Sequence, residues 1–199
     1  MNIVLLVEPE VTSYTPNPYI VIEGQSATLK CDMTAANPNT SIIWRWYRTD
    51  RPNVVLFYGP NYTLPNIQRN MSGTYNCTAS NSIGTSEANI INVEVQYRPE
   101  VISNTPSPYR VLEGHECTLV CAVNAANPGT NISWKWTKLE SPNYTLHNGS
   151  TYTISNVQRY KSGLYKCTAS NSVGTSVGVT IYLDVLCKYS FLKRYAEKL

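Results

Sequence analysis

Six cysteines hold most of the reactive chemistry this chain can offer: Cys31, Cys77, Cys117, Cys121, Cys167 and Cys187. A cysteine ligates a metal, attacks as a nucleophile beside a base, or closes a disulfide. Metal ligation lacks its usual spacing, because there is no Cys-x-x-Cys pair and no His-x-x-x-His pair. Nucleophilic catalysis lacks a base: His115 and His147 fall in different segments, and neither belongs to a pattern with an acidic partner. Three aspartates, Asp32, Asp50 and Asp184, leave little material for acid–base work. A Gly-rich phosphate loop and a Gly-x-Ser-x-Gly elbow are both absent from the sequence. Most hydrolase and metalloenzyme chemistry is excluded, and no cofactor, metal or small-molecule substrate is expected. The second reactive set is Asn-x-Ser/Thr, at Asn39, Asn61, Asn70, Asn76, Asn131, Asn143 and Asn148. One or two such acceptors mean little in a chain this rich in Asn, Ser and Thr. Seven, beside six cysteines, imply a secreted or cell-surface location. Asn76 stands apart, because it adjoins Cys77 on an expected strand.

These groups need a scaffold, and the composition points to strands. The chain has 199 residues, a net charge of +3 and 42% apolar residues, but only 15% charged ones. No apolar run approaches the ~20 residues of a membrane-spanning helix. The positive excess is too mild to imply a nucleic-acid partner. Fifteen Tyr, four Trp, twelve Pro and ten Gly favour strands and turns. A shift of 90 positions lays Pro9-Glu10-Val11 over Pro99-Glu100-Val101 and Trp44-x-Trp46 over Trp134-x-Trp136. The stretch from Thr78 to Ser82 recurs unchanged from Thr168 to Ser172. Two domains are expected, at 1–96 and 97–187, followed by a tail at 188–199. The junction 95–99 has no Gly/Ser tract, which predicts a short, stiff joint. Inside each copy the period is two. Ala27, Leu29, Cys31 and Met33 alternate with polar residues, as do Tyr75, Cys77 and Ala79, and Val177, Val179, Ile181, Leu183 and Val185. Turn signals separate the runs, so each copy reads as an antiparallel β-sandwich.

Each copy then shows a Cys, a Trp pair and a Tyr-x-Cys: Cys31, Trp44/Trp46 and Tyr75-x-Cys77, then Cys121, Trp134/Trp136 and Tyr165-x-Cys167. This resembles the immunoglobulin superfamily. Glu23-Gly24 and Tyr75-x-Cys77-x-Ala79-x-Asn81-x-x-Gly84 are similar to its I-set or C2-like domains, which occur in tandem in adhesion, hemicentin-like and CD22-type proteins. The resemblance implies an all-β fold of two immunoglobulin-like sandwiches arranged end to end. It implies disulfides Cys31–Cys77 and Cys121–Cys167, core tryptophans among Trp44, Trp46, Trp134 and Trp136, and tyrosine corners at Tyr75 and Tyr165. Parity, with the strand that starts at Cys117 and the last strand, which ends at Cys187, meeting at one pole of such a sandwich, adds an expected Cys117–Cys187 bridge, against a Cys187 that is free or intermolecular. Two departures stand out. The family's Asp four residues before the corner Tyr is Met71 in one copy and Lys161 in the other. Neither can accept as a carboxylate does, so the Tyr hydroxyl and backbone must hold the corner. The Trp pairs leave open which ring stacks on the disulfide.

The ends and the surface complete the reading. Residues 1–7 are apolar but lack a basic start and a small-residue cleavage site, so they read as a truncated leader, an artificial start or part of the first strand. In the tail, Phe191, Leu192, Tyr195 and Leu199 fit one helical face, against a plain frayed end. The polar B–C loop (37–41) and F–G turn (80–85) are candidate contacts. So is the stretch 50–61, where Val55, Phe57 and Tyr58 make a candidate binding edge that the second copy replaces with polar residues 141–148. A C′ or D strand completing the first core is the alternative for that stretch. The resemblance implies a non-catalytic extracellular adhesion or recognition module that binds a protein, homophilically or heterophilically. The rivals are a secreted immune-recognition or decoy protein and a spacer unit of a matrix or receptor array. Lectin activity does not carry over, since the outward positions of the strand before the Cys are Thr74 and Asn76, then Leu164 and Lys166, without the arginine it needs.

Overall fold

The computed structural model describes residues 5–187. The apolar start contributes Val7 to the first strand, while residues 1–4 and the tail at 188–199, frayed or helical, lie outside the described residues. The chain divides between Gln96 and Tyr97 into two compact units.

In the first unit, β1 (Val7–Thr12) pairs with β4 (Asp32–Asn37), and β3 (Ala27–Lys30) pairs with β6 (Asn61–Leu64), both antiparallel. Only Cys31 separates β3 from β4. The opposing sheet joins β5 (Ile43–Arg48), β7 (Gly73–Ser80) and the start of β8 (Asn89–Ile102), with β2 (Tyr19–Ile22) parallel on the far side of β8. The alternation of residue types dictates this layering. Ala27, Leu29 and Cys31 from one layer meet Trp46, Tyr75, Cys77, Ile91, Val93 and Val95 from the other in one buried cluster. Residues 97–102 of β8 pair with β11 in the second unit.

The second unit repeats the plan. Its strands are β9 (Tyr109–Leu112), β10 (Cys117–Val120), β11 (Ala122–Asn127), β12 (Ser133–Lys138), β13 (Thr151–Ile154), β14 (Gly163–Ser170) and β15 (Val179–Leu186). β10 pairs with β13, and β12, β14, β15 and β9 form the opposing sheet. One expectation fails. Val177 is 72% exposed and precedes β15, because Gly178 at φ +86° turns the chain before the buried alternation begins at Val179. Met33 likewise lies on β4 beyond the core cluster.

Candidate binding surfaces and the corners that hold them

Four of the six cysteines are consumed by architecture. Cys31–Cys77 and Cys121–Cys167 are disulfides, with Cα–Cα separations of 6.6 and 6.7 Å. Each closes a loop across a sequence separation of 46, worth about 4 kcal/mol in loop entropy. The second Trp of each pair is the core ring. Trp46 lies opposite Cys77 and Trp136 opposite Cys167, both fully buried. Their indole nitrogens donate to Gly59 O at 2.9 Å and Gly149 O at 3.0 Å, so burial leaves no orphan donor. Trp44 and Trp134 pack half-buried at the margin of the same cores.

The corners are held as the missing aspartates require. Tyr75 donates its hydroxyl to Met71 O at 2.8 Å, and Tyr165 to Lys161 O at 2.7 Å. Burial pushes both phenols above the ordinary tyrosine range. A further part was not anticipated. The Arg48 guanidinium reaches Ser72 O at 3.0 Å and Met71 O at 3.3 Å, donates to the Tyr75 hydroxyl at 3.3 Å, and lies over the Tyr75 ring at 5.3 Å. Burial opposes its charge, but the Asp50 carboxylate and Tyr75 offset that and raise its pKa. Lys138 repeats the role with one bond, to Ser162 O at 2.8 Å. Here a cation takes the carbonyls that a carboxylate elsewhere helps to organise. Gly73 makes room for it, since a Cβ there would stand 2.7 Å from an Arg48 Nη atom. Opposite, Arg69 pairs with Glu23 at 2.8 Å, and its hydrogen bond holds the Glu23 carboxyl below the usual range.

At one pole, Asn81 joins the two loops that sequence reasoning picked. Its Nδ2 donates to Val7 O at 2.9 Å and to Pro38 O in the B–C loop at 3.0 Å. Its Oδ1 accepts from the backbone N–H groups of Ile83 and Gly84, which closes the F–G turn. Asn171 repeats all four bonds with Tyr97, Pro128, Val173 and Gly174. An Asn followed by x-x-Gly is a turn signal that identifies this clamp.

The stretch 50–61 divides between its two expected roles. Leu56 packs on the core, and the segment bridges to β5 through Leu56 N–H to Trp46 O at 2.8 Å and Trp46 N–H to Phe57 O at 3.0 Å. Of the expected contact residues, Tyr58 is 65% exposed and Phe57 38%, while Val55 is half-buried. Val54, 52% exposed, joins them. Phe57 stacks on Tyr62 at 5.3 Å, so its ring is preset rather than floppy. In the second unit His147 stacks on Tyr152 at 5.5 Å in the same place, which gives this histidine a packing role.

Asn39, Asn61, Asn70, Asn131, Asn143 and Asn148 are all exposed, whereas Asn76 is half-buried on β7. Cys117 is buried at the head of β10, and burial, with Glu116 nearby, pushes its thiol up. Cys187 follows β15 directly and is half-buried. Among the described residues no cluster of His, Cys, Asp or Glu is placed to hold a metal, and no helix is long and apolar enough to cross a membrane.

Paired sandwiches with inter-sheet disulfides, a buried Trp and a tyrosine corner define tandem immunoglobulin-like domains. The immunoglobulin domain family matches residues 8–81 and 98–171, and the chain belongs to that family. It is 29% identical over 155 residues to B-cell receptor CD22 of Mus musculus, covering 76% of this chain and 17% of that protein. It is 25% identical over 190 residues to neuronal cell adhesion molecule of Rattus norvegicus, covering 90% of this chain and 15% of that one. The chain thus spans less than a fifth of the curated relatives it matches. Among solved structures, a crystal structure of DIP-gamma Ig1+Ig2 superposes with a TM-score of 0.66 at 19% identity, covering 91% of this chain and 98% of that one.

Proposed function

We propose that the chain is an extracellular adhesion or recognition module that binds a protein partner without catalysis. The observation that carries this is the first unit's C′ edge. There Val54, Phe57 and Tyr58 are exposed on a backbone fixed to β5, where the second unit places Tyr144, His147 and Asn148. Two copies of one scaffold with different dressing at one edge fit a surface under selection for contact. The relative named as a neuronal cell adhesion molecule supports adhesion as the class. The six exposed acceptor asparagines support an extracellular location. A partner on a second copy or on another protein are the two forms of the same reading.

Cys117 carries a free thiol in the structure, and we propose that in the secreted protein it closes a third disulfide with Cys187. Glu113 N–H donates to Leu186 O at 2.9 Å, which holds the residue before Cys187 against the turn that leads into Cys117. Peptide mapping without reduction finds the linked pair; thiol labelling of Cys187 would refute the bridge.

The binding experiment uses the secreted chain and a variant carrying V54Y, F57H and Y58N, the second unit's residues. Coated beads and a panel of cell-surface ectodomains should give a signal that the variant loses. Full retention by the variant would overturn the edge as the contact. Sedimentation at rising concentration separates self-association from a different partner.

A further inference from the structure

We infer that the outward face of the first unit's four-stranded sheet is a seat for the protein's own carbohydrate, an N-linked glycan on Asn76 whose first sugar lies over Tyr47 and Ile90. The inference rests on the extracellular reading above. It starts from register. Asn76 stands on β7 directly between Tyr47 of β5 and Ile90 of β8. Tyr75 and Cys77 on either side of it are buried, so alternation turns Asn76 outward. The neighbours Trp46 and Ile91 are buried too, which sends Tyr47 and Ile90 to the same outer face. Directly opposed side chains on one face stand about 5 Å apart. Ile90, near the start of β8, is an apolar side chain left 53% exposed.

The second unit is the internal control. Its equivalent row is Thr137, Lys166 and Thr180. Thr78 and Thr168 occupy matching places, so Asn against Lys alone decides whether an acceptor sequence exists. The flanking pair changes with it, from two polar threonines to a tyrosine and an isoleucine. An apolar flank occurs only in the copy that carries the acceptor. N-acetylglucosamine has a face of C–H groups that lies flat on an aromatic ring, so Tyr47 and Ile90 make a floor of the right chemistry.

The Asn76 side chain carries the second observation. Its Oδ1 is cut off from solvent and has no hydrogen-bond partner, the sole such side-chain atom among the described residues. The oxygen is turned in, and Nδ2, the atom that bonds the sugar, is not cut off. Carbohydrate on this face would keep protein partners from the sheet and leave them the C′ edge and the F–G turn.

The test uses the full chain secreted from mammalian cells, with glycopeptide mass spectrometry at each acceptor. Asn76 should be occupied. Native peptide N-glycosidase should release its sugar about tenfold faster in Y47T/I90T than in the parent, the factor expected from roughly 60 Å² of lost apolar cover. Release at Asn39, Asn61 and Asn70 should be unchanged, which also verifies that the variant folds. A T78A variant should lose one glycan and gain binding of a hydrophobic dye, and Y47T/I90T added to it should abolish the gain. Bare Asn76 beside occupied neighbours would overturn the seat while leaving the extracellular reading intact. So would unaltered release in Y47T/I90T, or unaltered dye binding in T78A. Absence of glycan at every acceptor would instead overturn the extracellular reading.

Discussion

Replacing Arg48 by alanine should loosen the first unit's corner far more than removing the acid beside it. The Ser72 carbonyl accepts the short bond, at 3.0 Å, worth about 1.5 kcal/mol from a charged donor. The bonds to Met71 O and the Tyr75 hydroxyl, both 3.3 Å, are long and weak, and with the ring contact they add about 1 kcal/mol. Asp50 is 58% exposed, so its ion pair with Arg48 contributes about 0.5 kcal/mol or less. R48A should therefore cost about 2.5 kcal/mol, an increase of about 60-fold in amide exchange along β7. R48K, which imitates the single bond of Lys138, should cost about 1 kcal/mol. D50N should change exchange about twofold. Hydrogen exchange read by mass spectrometry on residues 73–80 is the assay, and residues 163–170 in the same molecule are the reference. If R48A moves β7 protection no further than D50N does, the carbonyl bonds carry nothing and the reasoning is wrong.

Three other outcomes follow from the same geometry. N81A removes four hydrogen bonds of 2.9 to 3.1 Å and should cost the first unit about 2 kcal/mol in thermal unfolding, with the second unit's transition unmoved. Y165F deletes the bond to Lys161 O and should cost about 1 kcal/mol in denaturant; in alkaline titration of the parent, this phenol should ionise after the exposed tyrosines. Glu23 has a depressed folded pKa, so its pairing with Arg69 stabilises the protein above the usual carboxylate range and is lost as pH falls below 4.5. E23Q should flatten that acid limb in melting temperature against pH, by under about 1 kcal/mol because Arg69 is 37% exposed.

The fold was legible because its determinants are local and doubled. Alternation, Tyr-x-Cys and turn residues each occur twice in register, which excludes chance agreement. Arg48 and Lys138 were not legible as corner residues, since the carbonyls they bond lie more than twenty residues away. Gly73 and Gly163 were the available signal: a residue without a side chain just before the corner Tyr means that something else occupies the space. The choice between Trp44 and Trp46 needed register, because both share a face and only cross-strand pairing sets one opposite Cys77. Val177 was misread because its type suits a strand, whereas Gly178 decides the backbone there.

The strands β6 and β13 have four residues each and pair on one side only among the described residues. An unpaired strand edge is a template on which another chain can add itself through backbone hydrogen bonds alone, whatever its side chains. Four residues offer about two outward-facing backbone pairs, too little to hold a stranger's strand. At these two edges a molecule crowded among copies of itself is thereby protected from sequence-blind polymerisation. Whatever joins there must be chosen by side chains.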